Sequence, residues 1–258
     1  MDRSPNGYVN SILRIIGEKT LESIKNYLDE ILTRDYVDFR TGEQIKDFFA
    51  SFIESYYKNT SYQDREKIRF YTGLDYNRIN SVFKGIWNYE HNGALTPDKE
   101  KEYRKEGNII SGLITNNAFL QDNIKAYRGV NIDQFYTYGC SELSDLLNLK
   151  GGWFYERGFT STSLVREKSF FYKPVPGREN TNIEIEFLIP KEFEEGIPLM
   201  CEDTTLYPEE TEFLIDNGTL FKILDVIVDL ENNKAYIKMA SVPRKVYDLP
   251  YDNNKSLN

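Results

Sequence analysis

About halfway along the chain the spacing of apolar residues changes from a helical period to an alternating one. That change limits the fold more than any other feature of the sequence. Ile12, Ile15, Ile16, Ile24, Leu28, Ile31 and Leu32 recur at roughly every 3.6 residues, which predicts an amphipathic helix over about Tyr8–Leu32. A second helix is expected from Thr41, where Gln44 is placed for a capping box and Ile45, Phe48, Phe49, Phe52 and Ile53 share one side. Shorter helices follow over Ser61–Tyr71 and Tyr76–Trp87, and Thr96-Pro97 reads as the cap and first residue of a helix reaching Asn116. From Ile124 the pattern becomes strand-like. Ile124–Arg128, the alternating Asn182–Leu188, Glu212–Ile215, Leu220–Val228 and Ala235–Val242 are expected strands, the last two joined at Asn232-Asn233. Helices followed by strands give an α+β architecture with a mixed sheet core.

Composition narrows the chemistry. Of 258 residues, 40% are hydrophobic and 14% aromatic, ample for a packed core. Lys and Arg total 32 against 41 Asp and Glu, a net charge of −9, so the chain has no global footprint for nucleic acid. The longest apolar run, around Ile12–Ile16, is cut by Arg14 and falls far short of the roughly 18 residues a membrane helix needs. No membrane insertion by this chain is expected. The opening Met-Asp-Arg-Ser-Pro-Asn-Gly lacks a signal-peptide pattern, so the chain is expected to be cytoplasmic, trimmed, or exported by another route. Cys140 and Cys201 are expected as free thiols. One histidine, His91, in a polar loop, cannot build a His-Cys zinc site or a His-rich metal centre, so no metal is expected.

Three short segments carry the chemical signal: Ala126-Tyr127-Arg128-Gly129, Gly158-Phe159-Thr160-Ser161-Thr162-Ser163, and Tyr207-Pro208-Glu209-Glu210-Thr211-Glu212. Each alone has an ordinary structural explanation: a surface arginine, hydroxyls satisfying an edge strand, a solvated acidic run. Their order and spacing are less ordinary. On an extended segment Glu210 and Glu212 project to one face, where two carboxylates repel and favour distinct partners. No Gly-x-Gly-x-x-Gly fingerprint is present, which counts against a Rossmann dehydrogenase.

The series resembles the arginine, Ser-Thr-Ser, Glu-x-Glu signature of mono-ADP-ribosyltransferase toxins, a group that includes actin-modifying binary-toxin enzyme components and Rho-modifying exoenzymes. The resemblance covers roughly Asp64–Val242 and takes in Ile79-Asn80 and the strand entry Gly218–Lys222. It implies an ADP-ribosyltransferase-like mixed β core of two packed small sheets with an N-terminal helical region. With no repeat or linker in the chain, residues 1–59 read as a helical extension, 60–245 as the catalytic domain and 246–258 as a tail.

The resemblance also implies NAD as co-substrate and a role for each matching residue. Glu212 would stabilise the ribosyl cation formed when the nicotinamide bond breaks, and would bind a ribose hydroxyl. Ser161 would orient Glu212. Glu210 would position and help deprotonate the acceptor. Arg128 would hold an NAD phosphate through its guanidinium fork, and the backbone near Gly129 would meet the nicotinamide carboxamide. Thr162 would line the same site, although it and Ser163 fit better as holders of strand geometry. Tyr172, or Phe171 with a one-residue shift, would stack on nicotinamide. Lys173 or Arg178 would supply the second phosphate contact. Glu-x-Glu goes with arginine targets in this group, and Tyr207 would touch the target protein. The implied enzyme transfers ADP-ribose to an exposed arginine of a protein, an actin-like one among the possibilities, after secretion or delivery into a target cell with or without a separate binding and translocation component. The rival readings are an enzyme that mainly hydrolyses NAD, one that modifies a small molecule or nucleic acid, and a non-catalytic partner-binding module of the same fold.

Overall fold

The computed structural model describes residues 20–87, 93–169 and 182–247. Helix α1 (20–31) buries Ile24, Leu28 and Ile31, the residues whose spacing announces it; the stretch before residue 20, His91 and Asp252–Asn258 lie outside the described residues. The Thr41–Gln44 capping box forms as expected and starts α2 (Gly42–Phe48). Phe49 then leaves helical geometry at φ −95° and ψ 10°, so the expected single helix is two, with α3 running Ala50–Asn59. The break lets Phe48 and Phe49 meet edge to face at 4.8 Å, and Phe39 and Phe48 at 5.1 Å. Helix α4 (Tyr62–Phe70) is capped by Ser61, whose hydroxyl accepts from the Asp64 N–H. A five-residue π turn, Tyr71–Asp75, separates it from α5 (Tyr76–Lys84). Thr96 caps α6 (Pro97–Asn117), with proline in the first turn as the sequence implies.

The strands are β1 (Ile124–Val130), β2 (Trp153–Glu156), β3 (Thr160–Ser163), β4 (Ile183–Ile189), β5 (Gly196–Leu199), β6 (Glu212–Ile215), β7 (Thr219–Asp229) and β8 (Lys234–Val242). They hydrogen-bond in the order β2-β7-β8-β4-β1-β3-β6-β5. Among these strand pairs β4 and β8 run parallel and the others antiparallel. β1 and β3 meet at a single pair, Tyr127 with Ser163. The eight strands thus form one sheet of two arms joined at one point, within the expected α+β architecture. Both feed one hydrophobic core, with Ile185, Phe187 and Phe221 from one arm and Ile197, Phe213 and Leu214 from the other. Ile45 of α2, Phe49 at the break, and Phe52 and Tyr56 of α3 belong to that same core. On the opposite face, α1 packs with Leu188, Leu220, Ala240, Val242 and Tyr247 in a second cluster.

Both glutamates of β4 are ion-paired. Glu184 is buried and held by both guanidinium arms of Arg166 at 2.9 and 2.5 Å, while Glu186 lies 3.4 Å from each of Lys125 and Lys238. Another buried network closes the end of β6. Asp216, fully buried, accepts from Ser111 of α6 at 2.8 Å and from Arg244 at 2.7 Å. Arg244 opens the short C-terminal helix α7 (Arg244–Tyr247), and its backbone N–H donates to Glu195 at 2.9 Å. Both cysteines are free thiols.

Candidate active site

The point where the two arms join gathers most of the residues singled out from the sequence. Arg128 lies on β1, and β3 carries Ser161, Thr162 and Ser163 beside it. Glu212 is the first residue of β6, paired across to Ser163 on one side and Leu199 on the other. Because side chains alternate along a strand, Ser161 and Ser163 share a face with Glu212 while Thr162 points the other way. The Thr162 hydroxyl accordingly donates to the Phe213 carbonyl at 2.7 Å, and Thr162 is buried. Gly129 is buried opposite Glu184 in the ladder.

Glu212 is the electrostatic centre. It is only 6% exposed, and burial pushes its carboxyl from the usual carboxylate value up to about 7; the Ser161 hydrogen bond opposes that rise, the Glu210 charge adds to it, and Arg128 pulls it back. Ser161 remains exposed, so its hydroxyl faces both the carboxylate and solvent.

Glu210 reaches this carboxylate by a route the sequence does not suggest. The expected extended Glu210–Glu212 segment is replaced by a 3-10 turn, Pro208–Glu210, followed by Thr211 in left-handed geometry at φ 50° and ψ 48°. A β-branched residue is a rare occupant of that region, at a cost of about 1–3 kcal/mol. Local bonds hold it there. The Ser163 hydroxyl lies 2.8 Å from the Glu210 carbonyl and 3.2 Å from the Thr211 hydroxyl, and the Leu164 N–H donates to the Thr211 carbonyl at 2.9 Å. The two acids are thus neighbours through a fastened turn, not through strand alternation. Tyr207 precedes the turn with its side chain 46% exposed, whereas Phe171, Tyr172, Lys173 and Arg178 lie outside the described residues.

Several further side chains lie around this group of residues. Asn80 on α5 donates to the Tyr71 hydroxyl at 3.0 Å and the Phe159 carbonyl at 3.3 Å, and accepts from the Phe159 N–H at 2.8 Å. It thereby locks the entry to β3. Gly158 leaves room for it, since a Cβ there would lie 2.7 Å from the Asn80 side-chain oxygen. Tyr71, in the π turn, is fully buried, and its hydroxyl is pushed well up by burial and by the Glu212 charge. Lys84, one helical turn beyond Asn80, forms a buried ion pair with Glu156 at 3.1 Å, and Gln134 donates to Glu156 at 2.9 Å. Burial and the Arg128 charge lower the Lys84 ammonium pKa. The Asn80-to-Lys84 spacing on a helix is the signal that could have drawn attention to Lys84. Tyr71 has no such signal, because a π turn breaks the helical period. Among the described residues, no group of three His, Cys, Asp or Glu side chains is placed to hold a metal ion.

An alternating ladder of two joined arms, an arginine on one strand, a serine beside it and a buried glutamate across from it agree with what the chain resembles. Residues 45–244 match the model of the ADP-ribosyltransferase exoenzyme family, and the chain belongs to that family. At family level it is a toxin-related ADP-ribosyltransferase. Its fold is similar to that of C3stau2 from S. aureus, solved with NAD, at 19% identity and a TM-score of 0.63 over 81% of this chain and 100% of that one. Plx2a, an ADP-ribosyltransferase toxin from Paenibacillus larvae, aligns at 20% identity and a TM-score of 0.60 over 80% and 99% of the two chains. C2-I, the enzymatic component of the C2 toxin from Clostridium botulinum, aligns at 17% identity and a TM-score of 0.56, covering 81% of this chain and 50% of that one. No curated protein sequence matches the chain. No helix among the described residues is long and apolar enough to cross a membrane.

Proposed function

We propose that this chain transfers ADP-ribose from NAD to an arginine side chain of a target protein, releasing nicotinamide. One observation carries the reading: a buried carboxylate, Glu212, lies against the Ser161 hydroxyl and within reach of the Arg128 charge, with a second carboxylate, Glu210, beside it. Cleaving the nicotinamide–ribose bond develops positive charge on the ribose, as in glycoside cleavage. A fixed carboxylate in a water-poor pocket stabilises that charge far better than one in solvent. Ser161 fixes the orientation of Glu212. Arg128 suits a pyrophosphate through its planar fork. NAD as co-substrate also accords with the NAD held by the similarly folded C3stau2.

Glu210 argues for the arginine acceptor. A carboxylate beside the ribose site pairs with a guanidinium, orients it, and accepts its proton as the new C–N bond forms. The likeness to C2-I, an enzymatic component, supports delivery into a target cell with a separate binding component. The catalytic unit we infer takes in α2 and α3, whose Ile45, Phe52 and Tyr56 share the main core. The test is incubation with labelled NAD and host-cell lysate, followed by mass spectrometry of the labelled protein. ADP-ribose on an arginine supports the reading. Label on another residue type, or free ADP-ribose alone, removes it.

A further inference from the structure

The segment from Cys201 to Thr211, which carries Tyr207 and Glu210, is fastened to the helical layer far from the catalytic carboxylate. Asp203 is the fastening point. Its carboxylate accepts from the Arg65 Nε of α4 at 2.7 Å and from the Tyr57 hydroxyl of α3. Arg65 also donates to the Thr60 carbonyl at the end of α3, and its guanidinium lies over the Tyr57 ring, 4.5 Å from the centroid. The Arg65 side chain is 12% exposed and Asp203 24%, so water screens this pair far less than an open surface pair.

From Asp203 the constraint runs along the segment as an unbroken set of bonds. The Cys201 carbonyl accepts from the Thr204 and Thr205 N–H groups at 2.8 and 3.0 Å, and both threonines are buried. The Thr205 hydroxyl accepts from the Tyr207 N–H at 3.1 Å, and the Tyr207 carbonyl accepts from the Glu210 N–H at 3.0 Å. Leu206 rests on Gly73 of the π turn: a Cβ at Gly73 would come within 2.2 Å of the Leu206 methyl carbon. The same π turn holds Tyr71, which feels the Glu212 and Arg128 charges.

We propose that Arg65 and Asp203 form a positioning clamp that sets the distance between the acceptor-facing residues, Tyr207 and Glu210, and the ribose site at Glu212. The inference rests on the transfer reading above. Neither residue touches the reacting atoms. Their effect falls on the acceptor alone, because a protein guanidinium must be held in line with the ribose carbon while water need not be.

The test uses the full chain and the variants Asp203→Ala, Arg65→Ala and the double variant, with labelled NAD and agmatine as a soluble guanidinium acceptor. Asp203→Ala is expected to lower the ratio of transfer to NAD hydrolysis at least about tenfold, within the roughly hundredfold that a one-ångström misplacement can cost. It should raise KM for agmatine and leave KM for NAD and the hydrolysis rate near wild type. The double variant should be no worse than either single one, as for two halves of one device. Parallel loss of transfer and hydrolysis, or an unchanged ratio, overturns the clamp. Hydrogen exchange across residues 201–211 gives a second readout independent of the acceptor. Faster exchange in Asp203→Ala is expected, and unchanged exchange overturns the clamp by itself. If the wild-type chain labels no guanidinium acceptor, the transfer reading fails separately and the exchange result alone decides whether Asp203 fastens the segment.

Discussion

The Ser163 hydroxyl sits 2.8 Å from the Glu210 carbonyl, so the last residue of the Ser-Thr-Ser strand fastens the turn that brings the first acid to the second. Ser163 also pairs with Glu212 across the ladder, which makes one small residue a common reference for both carboxylates. Its hydroxyl lies 2.9 Å from the Val165 carbonyl and 3.2 Å from the Thr211 hydroxyl as well. Ser163→Ala is therefore expected to cost about 1–3 kcal/mol of stability, since buried polar partners lose their bond. Urea unfolding measures this, and a loss under about 0.5 kcal/mol would mean the turn holds itself.

Glu212→Gln should separate activity from stability. Removing the charge that stabilises the ribosyl cation should lower the rate of nicotinamide release by at least about a hundredfold. Stability should move the other way. The folded carboxyl is raised to about 7, so the folded state binds more protons than the unfolded state between roughly 4.5 and 7. Glu212's contribution to stability is thus full below the unfolded value and is lost as pH rises through about 7. Relative to wild type, Glu212→Gln should melt higher at pH 8 by an amount that shrinks toward pH 5. The underlying cost of ionising the buried group is on the order of 3 kcal/mol. Equal melting shifts at both pH values would contradict burial as the dominant influence.

The same group sets the pH dependence of catalysis. If the ionised carboxylate is the working form, kcat/KM for NAD should rise with pH and level off above about 7. A profile that is flat from pH 5 to 8 would place the essential ionisation elsewhere.

Arg128→Lys keeps a positive charge but loses the fork, so NAD affinity should weaken about tenfold or more even at low salt. Calorimetry with NAD reports this directly. Wild-type affinity would leave the phosphates to another cation, Lys173 or Arg178.

Much of the scaffold is legible in the sequence, because its signals are local. Thr41 with Gln44, and Thr96 with Pro97, announce two helix starts through bonds made within one turn. The alternation over Ile183–Ile189 announces β4. Short elements are less legible. Gly196–Leu199 forms a strand despite Pro198, because it stands at the end of the strand order beside β6, where a missing N–H is tolerated. The Phe49 break goes with edge-to-face packing among Phe39, Phe48 and Phe49, which the helical period of the segment does not announce.

The site divides in the same way. Arg128, Ser161 and Glu212 stand on strands, so their order in the sequence carries over to their places in the cleft. The Glu210 geometry does not follow from its spacing to Glu212, because Thr211 is left-handed and is held there by Ser163 and Leu164. Tyr71 against Phe159, Lys84 against Glu156 and the Arg65–Asp203 pair depend on contacts across long stretches of chain, which residue spacing does not encode.

The acceptor role of Glu210 is the claim most open to a decisive measurement. On one preparation of Glu210→Gln, with folding checked by thermal melting, protein labelling and NAD hydrolysis should be followed together. Glutamine keeps the size and hydrogen bonding of glutamate but cannot pair a guanidinium or accept its proton. Losing the Glu210 charge relieves repulsion on Glu212, so hydrolysis should not suffer. Protein labelling should fall by two orders of magnitude or more while hydrolysis stays within about threefold of wild type. Parallel loss of both would assign Glu210 to NAD cleavage itself, and retention of labelling would contradict the arginine acceptor.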